Sequence, residues 1–516
     1  MMRLLLALSG VAALLLMLWP ALPVSAQTGG WSEPIELSNA AQTKANVSWY
    51  PDLTVGPDGS VHVIWCSFPK IKSDRGSLVA FDSLMYRTLS GTTWSEINDI
   101  ATRMSSEEYT VRNSIALGRD GKLHVLLRSW TKIVAIDAPW QSAWSARSWS
   151  TPRTISGSGA AYYNALAIDD QGILHALWSE AVPDDPNTPN PICPGCSDLF
   201  YRRSTDGGKL WSPPINLSQS PDGENRPQIK IDRQGRIHAV WDQGIDWYAG
   251  SGQPKLGVYR RSDDGGKTWR VPVNFHLTED QVIQTALALT LEGNPFVVYR
   301  GVNYDRLYFQ RSTDGGTTWN HPTEIPGVRA GPINDLDIYS MATDGAGHIH
   351  LLMVGFPSDA VDITSEQARP TLFHLTWDGA AWSAPEPIMR DSFMEWPRIV
   401  IAGGNQLHAV WFTRRQLQGE RYFQIYYSSK QIDAPSTTAL PLFTATSLPT
   451  STALPSPVPE TPTPTPLVPA ALEAPVVDES PAWERTGLVT IGIALLPMIG
   501  LLAILSAVAR LVQRHR

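Results

Sequence analysis

Aligning the internal repeats of this 516-residue chain places Asp52, Arg112, Tyr163, Arg226, Gln284, Tyr339 and Arg398 at or near one recurring position, with Glu108, Glu224, Asp337 and Glu395 just upstream. A second recurring position collects Arg128, Glu180, Asp242, Arg300 and Arg414. These residue types have defined chemistry. Guanidinium groups grip carboxylates through paired N–H bonds, and two carboxyl groups about 5 to 9.5 Å apart can hydrolyse a glycosidic bond. A rim of solvated ion pairs, worth little energetically, is the alternative reading of the same residues.

The elements that carry them recur seven times. A Trp followed by polar residues and an aliphatic begins at Trp31, Trp94, Trp149, Trp211, Trp269, Trp319 and Trp382. Some 30 residues later comes a turn, usually Asp-x-x-Gly, and a short apolar run that opens with His62, His124, His175, His238, His350 or His408, and with Phe296 in the fifth copy. Runs such as Gly235-Arg-Ile-His-Ala-Val-Trp241 are β-branched, short and bounded by Gly and Asp, which is strand chemistry. Four such strands per unit, repeated radially, predict an all-β propeller of seven four-stranded blades. The seventh unit lacks its own Trp strand and the chain begins with an orphan one, Trp31 to Leu37, so the N-terminal strand is expected to close the ring. The repeated His stand one blade apart and cannot converge on one ion; they are expected to pack or hydrogen-bond within blades, and no metal site or cofactor is expected.

The sharpest motif lies in the hairpin between third and fourth strands. Ser204, Asp206, Gly208 and Trp211, then Ser262, Asp264, Gly266 and Trp269, then Ser312, Asp314, Gly316 and Trp319 share the spacing Ser-x-Asp-x-Gly-x-x-Trp. Gly permits positive φ, the Asp carboxylate can accept turn N–H bonds, and Trp packs between sheets. This spacing resembles the Asp-box, or bacterial neuraminidase repeat, of the sialidase-like β-propeller superfamily, over about 400 residues. The resemblance implies an arginine triad for a sialic acid carboxylate, mimicked by Arg112, Arg226 and Arg398. It further implies a nucleophile at Tyr339, its base at Glu224 or Glu395, and an acid at Asp52. Tyr163 and Gln284, from their place in the repeat alignment, are expected as further ligand contacts. The first strand reads Tyr50-Pro-Asp-Leu53 and lacks the Phe/Tyr-Arg-Ile-Pro motif of those enzymes, which have six blades.

Residues 1–26 read as a cleavable secretory signal. The ring is expected over residues 27–432, followed by a Pro/Thr/Ser-rich stalk over 433–483. Residues 486–509 are an apolar span and 510–516 a basic tail, so the positive-inside rule predicts a single-pass type I protein of the cell membrane with the propeller extracellular. A net charge of −8 without a basic run in the ring excludes nucleic acid as a partner. Cys193 and Cys196 are expected to form a local disulfide, and Cys66 to be a buried small hydrophobe. The expected function is recognition of a glycan or a cell-surface protein by the loop face. The alternative is an exo-sialidase or other glycoside hydrolase at the central cavity.

Overall fold

The computed structural model describes residues 29–443 apart from 40–44, 46, 73–77, 106–110, 183–192, 335, 362, 364–368, 392, 418–419 and 439–440. Residues 1–26, Glu108, the stalk beyond residue 443, the apolar span and the basic tail lie outside the described residues. No helix among the described residues is long and apolar enough to cross a membrane.

Seven antiparallel sheets form the ring. The innermost strands are Ser48–Val55, Val111–Leu117, Ala161–Ile168, Glu224–Ile231, Val282–Leu289, Ser340–Thr343 and Met394–Ala402, one for each of blades one to seven. Blades two, three, four, five and seven have four strands, as expected; blades one and six carry extra short strands. In blade seven the outermost strand is Ile35–Glu36, paired with Tyr427 and Tyr426, so the N-terminal strand closes the ring.

The repeated histidine links strands within a blade. His62, His175, His238 and His408 each place Nδ1 2.6 to 2.8 Å from the hydroxyl of a third-strand tyrosine, Tyr86, Tyr201, Tyr259 and Tyr427. In blade six His374 replaces the tyrosine, 2.9 Å from His350. On the other side, Nε2 of His175, His238 and His350 faces the turn carboxylates Asp169, Asp232 and Asp344. Each tyrosine also meets the hairpin tryptophan of the next blade: Trp269 packs edge-on to Tyr201 at 5.1 Å, Trp319 to Tyr259 at 5.0 Å and Trp94 to Tyr427 at 4.9 Å.

The Asp-box geometry follows from its residues. Ser262 Oγ donates to Asp264 Oδ1 and accepts the Gly266 N–H at 2.8 Å, while Asp264 accepts the N–H groups of Lys267 and Thr268. Ser204 with Asp206 and Ser312 with Asp314 repeat the pattern. Gly266 and Gly316 sit at φ +82° and +94°, and a Cβ there would collide with the hydroxyls of Tyr201 and Tyr259. Glycine is required twice over, by conformation and by the neighbouring blade.

After the last strand the chain stays on the ring. Thr437 N–H donates to Gly403 O at the first-to-second turn of blade seven. Farther on, Phe443 N–H donates to Arg119 O in the corresponding turn of blade two, and its ring lies 4.4 Å from the Arg119 guanidinium. Within the segment expected as stalk, the described residues 433–438 and 441–443 thus lie on the turn face, the former at blades six and seven and the latter at blades two and three.

Candidate functional site

The opposite, loop face carries the backbone strain. Nine non-glycine residues among those described have positive φ, and all nine lie there. Gln219, Asp305, Trp130 and Phe393 occupy connecting loops. Tyr50, Arg112, Arg226, Gln284 and Trp396 occupy bulges where the innermost strand slips register against the second, for example between Asn225 and Gln228. Pro51, Pro227 and Pro397 follow three of them, and the broken ladder needs no N–H at that point. Bulges re-aim side chains, and here they turn Tyr50, Arg112 and Trp396 toward the axis. On the turn face the same backbone demand is met by glycine, as at Gly59, Gly121, Gly172 and Gly235.

The bulges also set the true equivalence of the blades. Tyr50, Arg112, Arg226, Gln284 and Trp396 share one level. Asp52 and Arg398, placed at that level by sequence alignment, lie two residues farther into the channel. Asp52 is held there, with Oδ2 accepting the Ile115 N–H of the next blade at 3.0 Å and Oδ1 3.7 Å from Arg398 Nε. Burial raises its pKa, opposed by Arg398.

Arg112 stands in an aromatic enclosure. Its guanidinium carbon is 3.8 Å from the ring centroid of Tyr162, 4.6 Å from Tyr163, 4.7 Å from Tyr50 and 5.9 Å from Trp396. Arg128 joins it, 5.0 Å from Tyr162 and 5.3 Å from Tyr248. Burial and the adjacent Arg112 lower the Arg128 pKa to about 10. Aromatic faces stabilise such cations through their quadrupoles.

A second group forms across blades four to six. Arg226 pairs with Asp242 at 3.3 Å and donates to Asn334 O, and its guanidinium lies 5.1 Å from the Trp247 ring. Gln284 donates to Asp337 O, and Arg300 pairs with Asp305. Tyr339 is fully buried in an apolar cluster with Ala286 and Phe296, its hydroxyl without a hydrogen-bond partner. Burial pushes its pKa far up; Arg300 opposes this, and Asp337 adds to it. Asp337 is itself raised to about 6 by burial, opposed by Gln284 and the arginines.

The three arginines of the implied triad thus hold separate partners: aromatics for Arg112, Asp242 for Arg226 and Asp52 for Arg398. The acids upstream also have their own settings. Glu224 accepts from Ser220 at 2.6 Å, and burial, with Asp198 and Asp222 nearby, raises its pKa well above the usual range. Glu395 receives Arg414 at 2.9 Å. Asp337, two residues from Tyr339, and Asp305 are the carboxylates whose charge raises the pKa of that hydroxyl, without a hydrogen bond to it. The closeness of Asp337 to Tyr339 in sequence was the available signal.

The axial mouth on this face is filled. The innermost strand of blade six is interrupted: Val328–Ala330 pairs with the far half of the second strand and Ser340–Thr343 with the near half. The intervening segment brings Leu336 and Ile338 into one apolar cluster with Tyr50, Tyr163 and Trp396 from blades one, three and seven. Among the aromatics of this face, Trp396 is buried in this cap and Trp247 packs against it, while Tyr248 and Tyr304 remain 40% and 58% exposed. Trp130 and Phe393 are exposed on the same face. Cys193 and Cys196 are disulfide-bonded, as expected, in a loop of blade three, and Cys66 is buried. No group of His, Cys, Asp and Glu among the described residues could hold a metal.

No protein-family model and no curated protein matches the sequence. Among solved structures, the chain is similar to a protein of unknown function from Dyadobacter fermentans (14% identity, 78% of this chain and 98% of that one, TM-score 0.47). It is also similar to an ulvan lyase bound to a glucuronate–sulfated rhamnose ligand (10%, 79% and 95%, 0.48) and to the NanB sialidase of Streptococcus pneumoniae (9%, 78% and 98%, 0.45). Seven blades closed by the N-terminal strand and bearing three full Asp-box hairpins are consistent with the sialidase-like β-propeller superfamily.

Proposed function

We propose that this protein is a membrane-anchored extracellular propeller whose loop face recognises a glycan, a cell-surface protein being the alternative partner. The carrying observation is the partition of backbone strain. Positive φ at a residue with a Cβ costs on the order of 1 to 3 kcal/mol and persists where surrounding structure enforces it, which is characteristic of binding surfaces. Nine such residues lie on one face; two of them, Trp130 and Phe393, are exposed and with exposed Tyr248 and Tyr304 suit stacking on sugar rings. The apolar span after the stalk and the basic tail beyond it support the anchored, type I arrangement.

Burial favours recognition over hydrolysis. The Tyr339 hydroxyl is enclosed and the axial mouth is filled, so a sugar on this face meets the exposed rings of Tyr248, Tyr304, Trp130 and Phe393 and not that hydroxyl. The test is incubation of the full chain in detergent with sialylated and neutral glycans, reading both retention and released sugars by mass spectrometry. Retention of one glycan class without release is expected. Release abolished by Tyr339→Phe would make the protein a glycosidase, and no retention of any glycan would leave the surface-protein partner.

A further inference from the structure

Beneath the cap, the axial channel holds charge that its own residues do not balance. A cavity of about 150 Å³ is lined by Asp52, Ser114, Gln228, Lys230, Ser340 and Arg398 among apolar neighbours. Most of these polar groups are already committed. Asp52 accepts the Ile115 N–H, Gln228 accepts the Leu287 N–H and donates to Tyr339 O, Ser340 accepts the Ile399 N–H, and Ser114 donates to Asn164. Arg398 keeps its 3.7 Å pairing to Asp52, but its Nε makes no hydrogen bond.

Lys230 lies one layer deeper on the strand of blade four. Among the described residues its ammonium has neither a hydrogen bond nor an ion-pair partner; it interacts with Asp52 and Arg398 only at longer range. Two cations and one carboxylate leave the lining with one net positive charge. The Asp52 and Arg398 side chains are 15% and 19% exposed and Lys230 is half-buried, so the excess charge is only partly solvated, a cost that a counter-ion relieves; at about 30 Å³ per water the cavity has room for one small ion and a few waters. We propose that the channel binds a single small monovalent anion of the halide class between Lys230 and Arg398.

The site lies apart from the loop face and does not depend on what that face binds. The test is the thermal unfolding midpoint of the full chain in detergent, in sodium chloride against sodium gluconate at equal ionic strength, gluconate being too large for the cavity. The midpoint is expected to rise with chloride by on the order of 2 °C per tenfold concentration and to stay flat in gluconate. Lys230→Met should abolish the difference, with Lys230→Gln as a second variant should the first not fold. Crystals soaked in bromide should show an anomalous peak between Lys230 and Arg398. Equal midpoints in the two salts, as a neutral Lys230 would give, overturn the proposal, and so does a chloride response that survives both variants.

Discussion

Asp242, on the second strand of blade four, accepts the backbone N–H of Thr285 in blade five at 2.8 Å. The same carboxylate accepts the Gln284 N–H at 2.9 Å and pairs with Arg226, and both side chains of the pair are about 2% exposed. One residue thus holds the bulge of the next blade and neutralises a buried guanidinium. Breaking a buried pair by removing one partner costs about 3 to 5 kcal/mol, so Asp242→Ala should destabilise the ring by that order in urea unfolding. A loss below about 1 kcal/mol would show that the contact is incidental.

The histidine links make stability pH-dependent. Burial lowers the pKa of His62 and His408 to about 4, opposed at His62 by Asp58. Their unfolded-state value is about 6.5, so as pH falls from 6.5 toward 4 the unfolded chain takes up protons that the native ring does not. Stability is therefore full above about pH 6.5 and declines below it, by about 2 kcal/mol per histidine between pH 7 and 5. Unfolding curves at the two pH values should show the loss, and His62→Gln and His408→Gln should each reduce it. A pH dependence unchanged from that of the wild type in both variants would place the titrating groups elsewhere.

The Asp-box hydroxyl is a third lever. Ser262→Ala strands the buried Gly266 N–H, and such a loss costs about 1 to 3 kcal/mol. Gly266→Ala adds a Cβ against the Tyr201 hydroxyl at a positive φ. Tyr201→Phe should restore part of the stability lost by Gly266→Ala and none of that lost by Ser262→Ala. A double-mutant cycle with zero coupling between positions 201 and 266 would contradict this packing.

On the loop face, Tyr248→Ala removes a 40%-exposed ring beside Arg128 and should weaken glycan binding at least about tenfold with the unfolding midpoint unchanged. Tyr339→Phe, altering an enclosed hydroxyl, should leave the Kd unchanged. The reverse ranking in a titration would shift the binding site toward blade six.

Much of the architecture was legible because its determinants are local. The spacing of Asp, Gly and Trp fixes three of the hairpins, the recurring His marks six of the seven second strands, and the orphan Trp31 segment announced the closure. The site was less legible. A bulge adds residues to the innermost strand without altering its composition, so Asp52 and Arg398 aligned two positions out of level with Arg112 and Arg226. The cap from blade six was hidden for another reason: Leu336 and Ile338 have no repeat counterpart, and only their contacts with Tyr163 and Trp396 reveal their place.

The attachment of Thr437 and Phe443 to the turn face changes what a tether would do. The ring's own seam is one short strand, Ile35–Glu36 paired with Tyr426–Tyr427, flanked by hydrogen bonds that join Ser32, Leu37 and Ser38 to the last strand. Were the chain to leave directly from that blade, a pull would peel the seam open. Clamped first at the Arg119 turn by Phe443 and again at Gly403 by Thr437, the chain has a strain relief like that of a clamped cable. Tension on the chain would reach the turns of blades two and seven before it reaches the closure.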